Sequence, residues 1–152
     1  MRPVPSLAEV EAYLHQHIPL SADMGVRVMA CDAAGATLRA PLAPNINHHA
    51  TVFGGSASAV SILSAWTYLY FVLRRAGHTS RLVIQHNTMD YLLPITGAFE
   101  ARCLGVPSVQ FDRFLRTLDR HGKARVTLAA ELLCEGRKAA VFSGDYVAVR
   151  GS

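Results

Sequence analysis

Between Pro41 and Leu73 the chain reads PLAPNINHHATVFGGSASAVSILSAWTYLYFVL, with no Asp, Glu, Lys or Arg and with His48 and His49 as its only groups titrating near neutral pH. Asn45 and Asn47 bring amide donors, Thr51 a hydroxyl, and Gly54-Gly55 open an apolar, Ser- and Ala-rich segment that stops at Arg74-Arg75. That order predicts a polar loop, a helix N-terminus and a buried helix. Glycines at the mouth of a helix leave backbone N–H groups unpaired, and such groups favour an anion or a carbonyl oxygen gaining negative charge. One oxyanion donor contributes about 2.7–4 kcal/mol to a barrier. Gly55 is the expected donor, with Gly54 and Phe53 beside it; spacing alone equally permits a glycine pair that only tightens a turn.

Asn47 and Asn45 are candidate amide donors to the same oxygen, although Asn in Pro-Asn-x-Asn also serves as a turn or cap residue. His49 is a candidate general acid or base, or a residue that orients Asn47, while His48 is expected to face solvent. Ser58, Ser61, Ala65 and Tyr68 fall along one helical stripe, so Ser61 or Ser64 could hold a water or a substrate oxygen. The alternative is that they bond the preceding turn's carbonyls, as most helix serines do. Downstream, Gln85, Asn87 and Asp90 lie on a strand, and Asp90 is the nearest carboxylate candidate, with a strand-end turn role equally open.

The remaining pattern supplies the elements that must position these residues. Ser6 and Glu9 have capping-box spacing before a helix whose apolar face is Leu7, Val10, Leu14 and Ile18, ended by Pro19. Gly25 to Ala33 and Thr37 to Pro41 alternate around Ala34-Gly35 as a hairpin. After the long helix and Gly77, strands are expected over Arg81 to Leu93, Gly97 to Leu104, Phe111 to Leu118, Ala124 to Cys134 and Lys138 to Val149. Short turns between them imply mostly antiparallel pairing. The expected architecture is α+β: one curled sheet around one long helix, a single domain over 1–152, with a partner subunit covering part of the sheet's outer face or edges.

Composition narrows the function classes. About half of the 152 residues are hydrophobic and the net charge is +4 without a Lys/Arg run, which argues against disorder and against nucleic acid while leaving an acidic or phosphate-bearing partner open. Arg74, Arg75, Arg81, Arg113, Arg116, Arg120 and Lys123 are the cations available to a phosphate. Cys31, Cys103 and Cys134 are odd in number and widely spaced, so buried thiols in a reducing cytoplasm are expected and no metal site or cofactor. The N-terminus lacks a basic-then-apolar leader pattern. Ser56 to Leu73 approaches the length of a membrane span, but its serines, threonine and tyrosines favour a core helix, and no membrane association is expected.

The order of elements, with an uncharged helix entered through NHHATVFGGS, resembles the hotdog fold of the acyl-thioester enzymes along essentially the whole chain. APN-x-N, T-x-FGGS, the Trp66 region and VIQHNTMDYLLPITG resemble more narrowly a thioesterase branch that some proteins carry behind an acetyltransferase domain and that has been linked to malonyl-acyl carrier protein decarboxylation. The resemblance implies an acyl-thioester enzyme of fatty-acid metabolism acting on acyl-CoA or acyl carrier protein, assembled as a homodimer or dimer of dimers. It also implies that Asn47, His49, Thr51, Gly54 and Gly55 keep the positions they hold in the phenylacetyl-CoA-type hydrolases. Two positions depart from that pattern: Phe53 replaces the His before the glycines, and Ser61-Ile62-Leu63-Ser64 replaces the segment that carries an Asp. Hydrolysis then needs His49, Asp90 or a serine-held water as activator. Decarboxylation needs only an enolate-stabilising site, and a non-catalytic thioester-binding module needs neither.

Overall fold

The computed structural model describes residues 4–151. Its elements are α1 (Leu7–His17), α2 (Pro19–Asp23), β1 (Arg27–Asp32), β2 (Gly35–Ala40), α3 (Gly54–Arg75), β3 (Ser80–Tyr91), β4 (Phe99–Leu104), α4 (Ser108–His121), β5 (Lys123–Cys134) and β6 (Arg137–Arg150). Six strands form one sheet in the order β1-β2-β4-β5-β6-β3, every neighbouring pair antiparallel. The long helix α3 packs against all six strands, the arrangement of a hotdog fold.

Local chemistry accounts for the boundaries. The Ser6 hydroxyl accepts from the Glu9 N–H at 3.1 Å and the Glu9 carboxylate accepts from the Ser6 N–H at 3.3 Å, a complete capping box worth about 1 kcal/mol. Pro19 does more than end α1, since it opens α2 at a position where a missing N–H costs nothing. At the β1–β2 turn the Asp32 carboxylate accepts from the Ala34 N–H at 2.8 Å, and a Cβ on Gly35 would lie 2.2 Å from the Cys103 carbonyl oxygen. Only glycine lets β2 and β4 meet there.

One expected strand is a helix. Phe111 to Leu118 lies inside α4, because Phe111, Phe114, Leu115 and Leu118 recur at i, i+3, i+4 and i+7, the period of a helical face. Phe114 and Leu118 are buried, and Gly122 at φ +74° closes the helix in the left-handed region.

The core lies between α3 and the concave side of the sheet. Tyr68, Leu69, Phe71 and Leu73 of α3 are each no more than 2% exposed and join Leu38, Phe99, Leu128, Leu132 and Tyr146 in one cluster. The Tyr146 hydroxyl donates to the Ile62 carbonyl at 2.7 Å, tying β6 to the middle of the helix. By length and composition α3 could cross a membrane, yet two-thirds of its most apolar window is buried against its own chain.

Candidate functional site

The loop before α3 is held by its two asparagines in different ways. Asn47 Oδ1 accepts from the His49 N–H at 2.9 Å and the Thr51 N–H at 3.1 Å, and its Nδ2 lies 3.0 Å from Thr51 Oγ1. The Asn47 N–H donates to the Thr51 carbonyl at 2.8 Å and the Asn47 carbonyl accepts from Ala50 at 3.2 Å, closing a tight turn in which Ala50 sits at φ +60°. A left-handed alanine is strained by about 1–2 kcal/mol, and this ring of bonds holds it. Asn45 is buried, and its Nδ2 donates to the carbonyls of Met24 at 2.9 Å and Pro41 at 2.8 Å. Asn45 therefore anchors the loop to the end of α2 with both amide hydrogens, which leaves none to donate to a substrate, while its buried Oδ1 has no partner among the described residues.

The loop delivers the start of α3 uncapped. Phe53 is the N-cap residue, no side chain caps the helix, and the Ser56 and Ala57 N–H groups donate to the Phe53 carbonyl at 2.9 and 3.1 Å. Among the described residues the Gly54 and Gly55 N–H groups have no protein partner. The ring of Phe53 lies across Gly55 so closely that a Cβ there would sit 2.2 Å from Phe53 Cε2. Glycine is required at position 55 for that contact. Two bonds fix this mouth to the end of β3 and the chain after it: the Val52 N–H donates to the Ile95 carbonyl at 2.8 Å, and the Tyr91 hydroxyl donates to the Gly54 carbonyl at 3.1 Å. Exposed apolar side chains surround it, with Phe53 58%, Tyr91 57% and Leu92 53% exposed.

The other candidates separate from this mouth. Ser61 and Ser64 are fully buried, with hydroxyls donating to the Ala57 carbonyl at 2.9 Å and the Ser61 carbonyl at 2.8 Å. Ser64 also sits ten residues beyond Gly54, roughly 15 Å along the axis. The sequence expectation of a serine serving the reaction meets two hydroxyls already spent on the helix backbone. His49 and His48 are exposed with ring centroids 3.8 Å apart, and Asn47 holds His49 through the backbone, leaving its imidazole free of Asn47.

Strand register sorts Asn87 from Asp90. A bulge between Ile84 and His86 shifts the strand, after which Asn87, Met89 and Tyr91 pair with Gly144, Phe142 and Ala140 on the core-facing side. Asp90 pairs with Val141 on the opposite side, beside Thr88 and His86. Within one chain Asn87 shares the face of Tyr91, and Asp90 does not. Tyr91 itself was not among the sequence candidates; the period-2 alternation of Asn87, Met89 and Tyr91 is the signal that places it.

Electrostatically the site is bare. No acidic residue lies in the first turn of α3, and Arg74 and Arg75 complement the dipole at its far end. Among the described residues no cluster of His, Cys, Asp and Glu is arranged to hold a metal ion. Burial, with Asp32 adding to it, pushes the Cys31 thiol up to about 12, and burial with Cys31 nearby does the same to Cys103. Those thiols stay protonated at neutral pH and are poor nucleophiles.

The fold, a long helix wrapped by a six-stranded antiparallel sheet, is shared with known proteins. The family model described as Putative thioesterase (yiiD_Cterm) matches residues 7–150. The chain belongs to this family. A crystal structure of a protein from Shewanella oneidensis described as a putative thioesterase is 31% identical, with TM-score 0.85 over 94% of this chain and 96% of that one. A protein of unknown function from Chlorobaculum tepidum TLS is 26% identical, with TM-score 0.90 over 95% of this chain and 94% of that one. A Pseudomonas aeruginosa protein described as a probable thioesterase shares the fold at 17% identity, with TM-score 0.83 and 97% of each chain covered. The chain is thus a hotdog-fold member of the thioesterase superfamily, with the thioesterase-type function of its family.

Proposed function

We infer that the chain hydrolyses acyl thioesters of CoA or acyl carrier protein in cytoplasmic fatty-acid metabolism, using the α3 mouth as its oxyanion site. The observation that carries this reading is the pair of free N–H groups at Gly54 and Gly55. They are the donors a carbonyl oxygen needs as it turns tetrahedral. Asn47 and Thr51 hold the loop that delivers them, the Phe53 ring lies beside Gly55, and Asn87, on the Tyr91 face of β3, is the substrate contact in this reading. His49 is the proton carrier in this reading, because α3 contributes no carboxylate and the Ser61 and Ser64 hydroxyls donate to the helix backbone.

The same bareness favours a second reading, decarboxylation of a malonyl thioester. The malonyl carboxylate leaves as carbon dioxide, the electron pair of the broken C–C bond passes to an enolate held by the Gly55 N–H, and a proton from solvent on the α-carbon then gives the acetyl thioester, with no water to activate. A third, a thioester-binding module without turnover, is an outcome of the same test. Purified protein is given malonyl and straight-chain acyl thioesters on CoA and on carrier protein. Free thiol supports hydrolysis; carbon dioxide with acetyl thioester supports decarboxylation; thermal stabilisation without product supports binding alone.

The working form proposed is a homodimer, or a dimer of dimers, in which a second chain covers the exposed apolar rim of the mouth and the outer edge of β3. β3 ends the sheet, and this 12-residue strand has a neighbouring strand on one side only among the described residues. Light scattering at micromolar concentration tests this, and a monomeric mass overturns it.

A further inference from the structure

We propose that Tyr91 is a positioning residue whose hydroxyl sets and polarises the peptide group that carries the Gly55 N–H. The proposal rests on the oxyanion reading of the α3 mouth and assigns a part to a residue outside the Asn-His-Gly-Gly loop. The Gly54 carbonyl and the Gly55 N–H are the two ends of one planar peptide unit. The Tyr91 hydroxyl donates to that carbonyl at 3.1 Å, and its ring lies 3.7 Å from where a Gly54 Cβ would be. A donor on the oxygen end draws electron density toward it, makes the N–H at the other end a better donor, and limits rotation of the plane. Glycine at both flanking positions leaves that plane unusually free to rock, so an external restraint is needed there more than in an ordinary first turn.

The restraint is itself rigidly mounted. Tyr91 is the last residue of β3, paired with the buried Ala140, and the next two N–H groups, of Leu92 and Leu93, both donate to the Ala139 carbonyl at 2.8 and 3.1 Å. Strand β6 thereby bears on the direction of the Gly55 N–H through Tyr91.

Tyr91→Phe tests this, since it removes the hydroxyl and keeps the ring. Two readouts are taken: steady-state kinetics on the best thioester of the panel, and the amide ¹H–¹⁵N resonance of Gly55. The expected result is a kcat about five-fold lower with KM unchanged, the size of one ordinary hydrogen bond, and a displaced Gly55 resonance while resonances in the body of α3 stay in place. Wild-type kcat in the variant overturns the proposal, and so does an unmoved Gly55 resonance. A wild-type protein that turns over no thioester overturns the catalytic reading of the mouth, and the Gly55 resonance then still decides whether Tyr91 sets that peptide.

Discussion

Helices α1 and α3 begin in opposite ways. At α1, Ser6 and Glu9 satisfy each other's backbone within four residues, and the sequence closes its own helix end. At α3 the N-cap is Phe53, whose side chain has nothing to donate or accept, and two N–H groups are left open. A bare start alone does not mark a site, because α4 also begins without a side-chain cap, behind Pro107. What distinguishes α3 is its surroundings: a loop knotted by Asn47, glycines that admit the Phe53 ring, and a carbonyl gripped by Tyr91. The contrast teaches that the closed helix start is held by residues local in sequence, whereas the open one is held by contacts from a distance.

The sharpest way to test that division is to damage the body of α3 and its mouth separately. Leu69, 1% exposed in the core, is expected to cost about 2–5 kcal/mol when replaced by Ala, read as a lower urea midpoint. Asn47→Ala is expected to do the reverse: about a tenfold loss of kcat with a far smaller change in midpoint. Two backbone N–H groups lose their acceptor and the strained turn at Ala50 relaxes. Wild-type turnover in that variant would remove the loop from the catalytic account.

How much of this was legible depended on the reach of each contact. The buried helix, the capping box, the hairpin at Gly35 and the glycine mouth each rest on neighbours in sequence, and each was readable there. Phe111 to Leu118 is a helix where a strand is expected: the turn-like segments on either side delimit it, and its i, i+3, i+4, i+7 spacing is what carries the helix. Asn45 looked like a substrate ligand because its partners, the carbonyls of Met24 and Pro41, are gathered only by the fold. The face that Asp90 takes is set by the bulge after Ile84, which the residue pattern does not announce. Tyr91 meets Gly54 across 37 positions, and nothing local announces that contact.

Ser6→Ala is the matching lesion at the closed helix start. It should lower stability by about 1 kcal/mol in denaturant and leave kcat and KM at wild-type values. A loss of turnover there would mean that α1 takes part in the site, and the comparison between the two helix starts would fail.

The smallest expected effect is one of pH, and it lies on α1. Burial raises the Glu11 pKa, but the Val28 N–H, the Arg27 guanidinium at 2.9 Å and nearby His15 outweigh burial, and the carboxyl titrates below its ordinary 4.5. A carboxylate depressed in the folded state adds stability that is present above its unfolded pKa and is lost as pH falls through the folded one. Glu11→Gln should therefore be slightly less stable than wild type at neutral pH, by well under about 1 kcal/mol because Arg27 is largely exposed. The gap should close on acidification below about pH 4.5, since the wild-type carboxyl is then losing its charge as well. Thermal midpoints of the two proteins measured across that range check the sign. A gap that widens in acid would show that Glu11 does not hold α1 to β1 through its charge, and the view of α1 as a stability element would have to rest on its capping box alone.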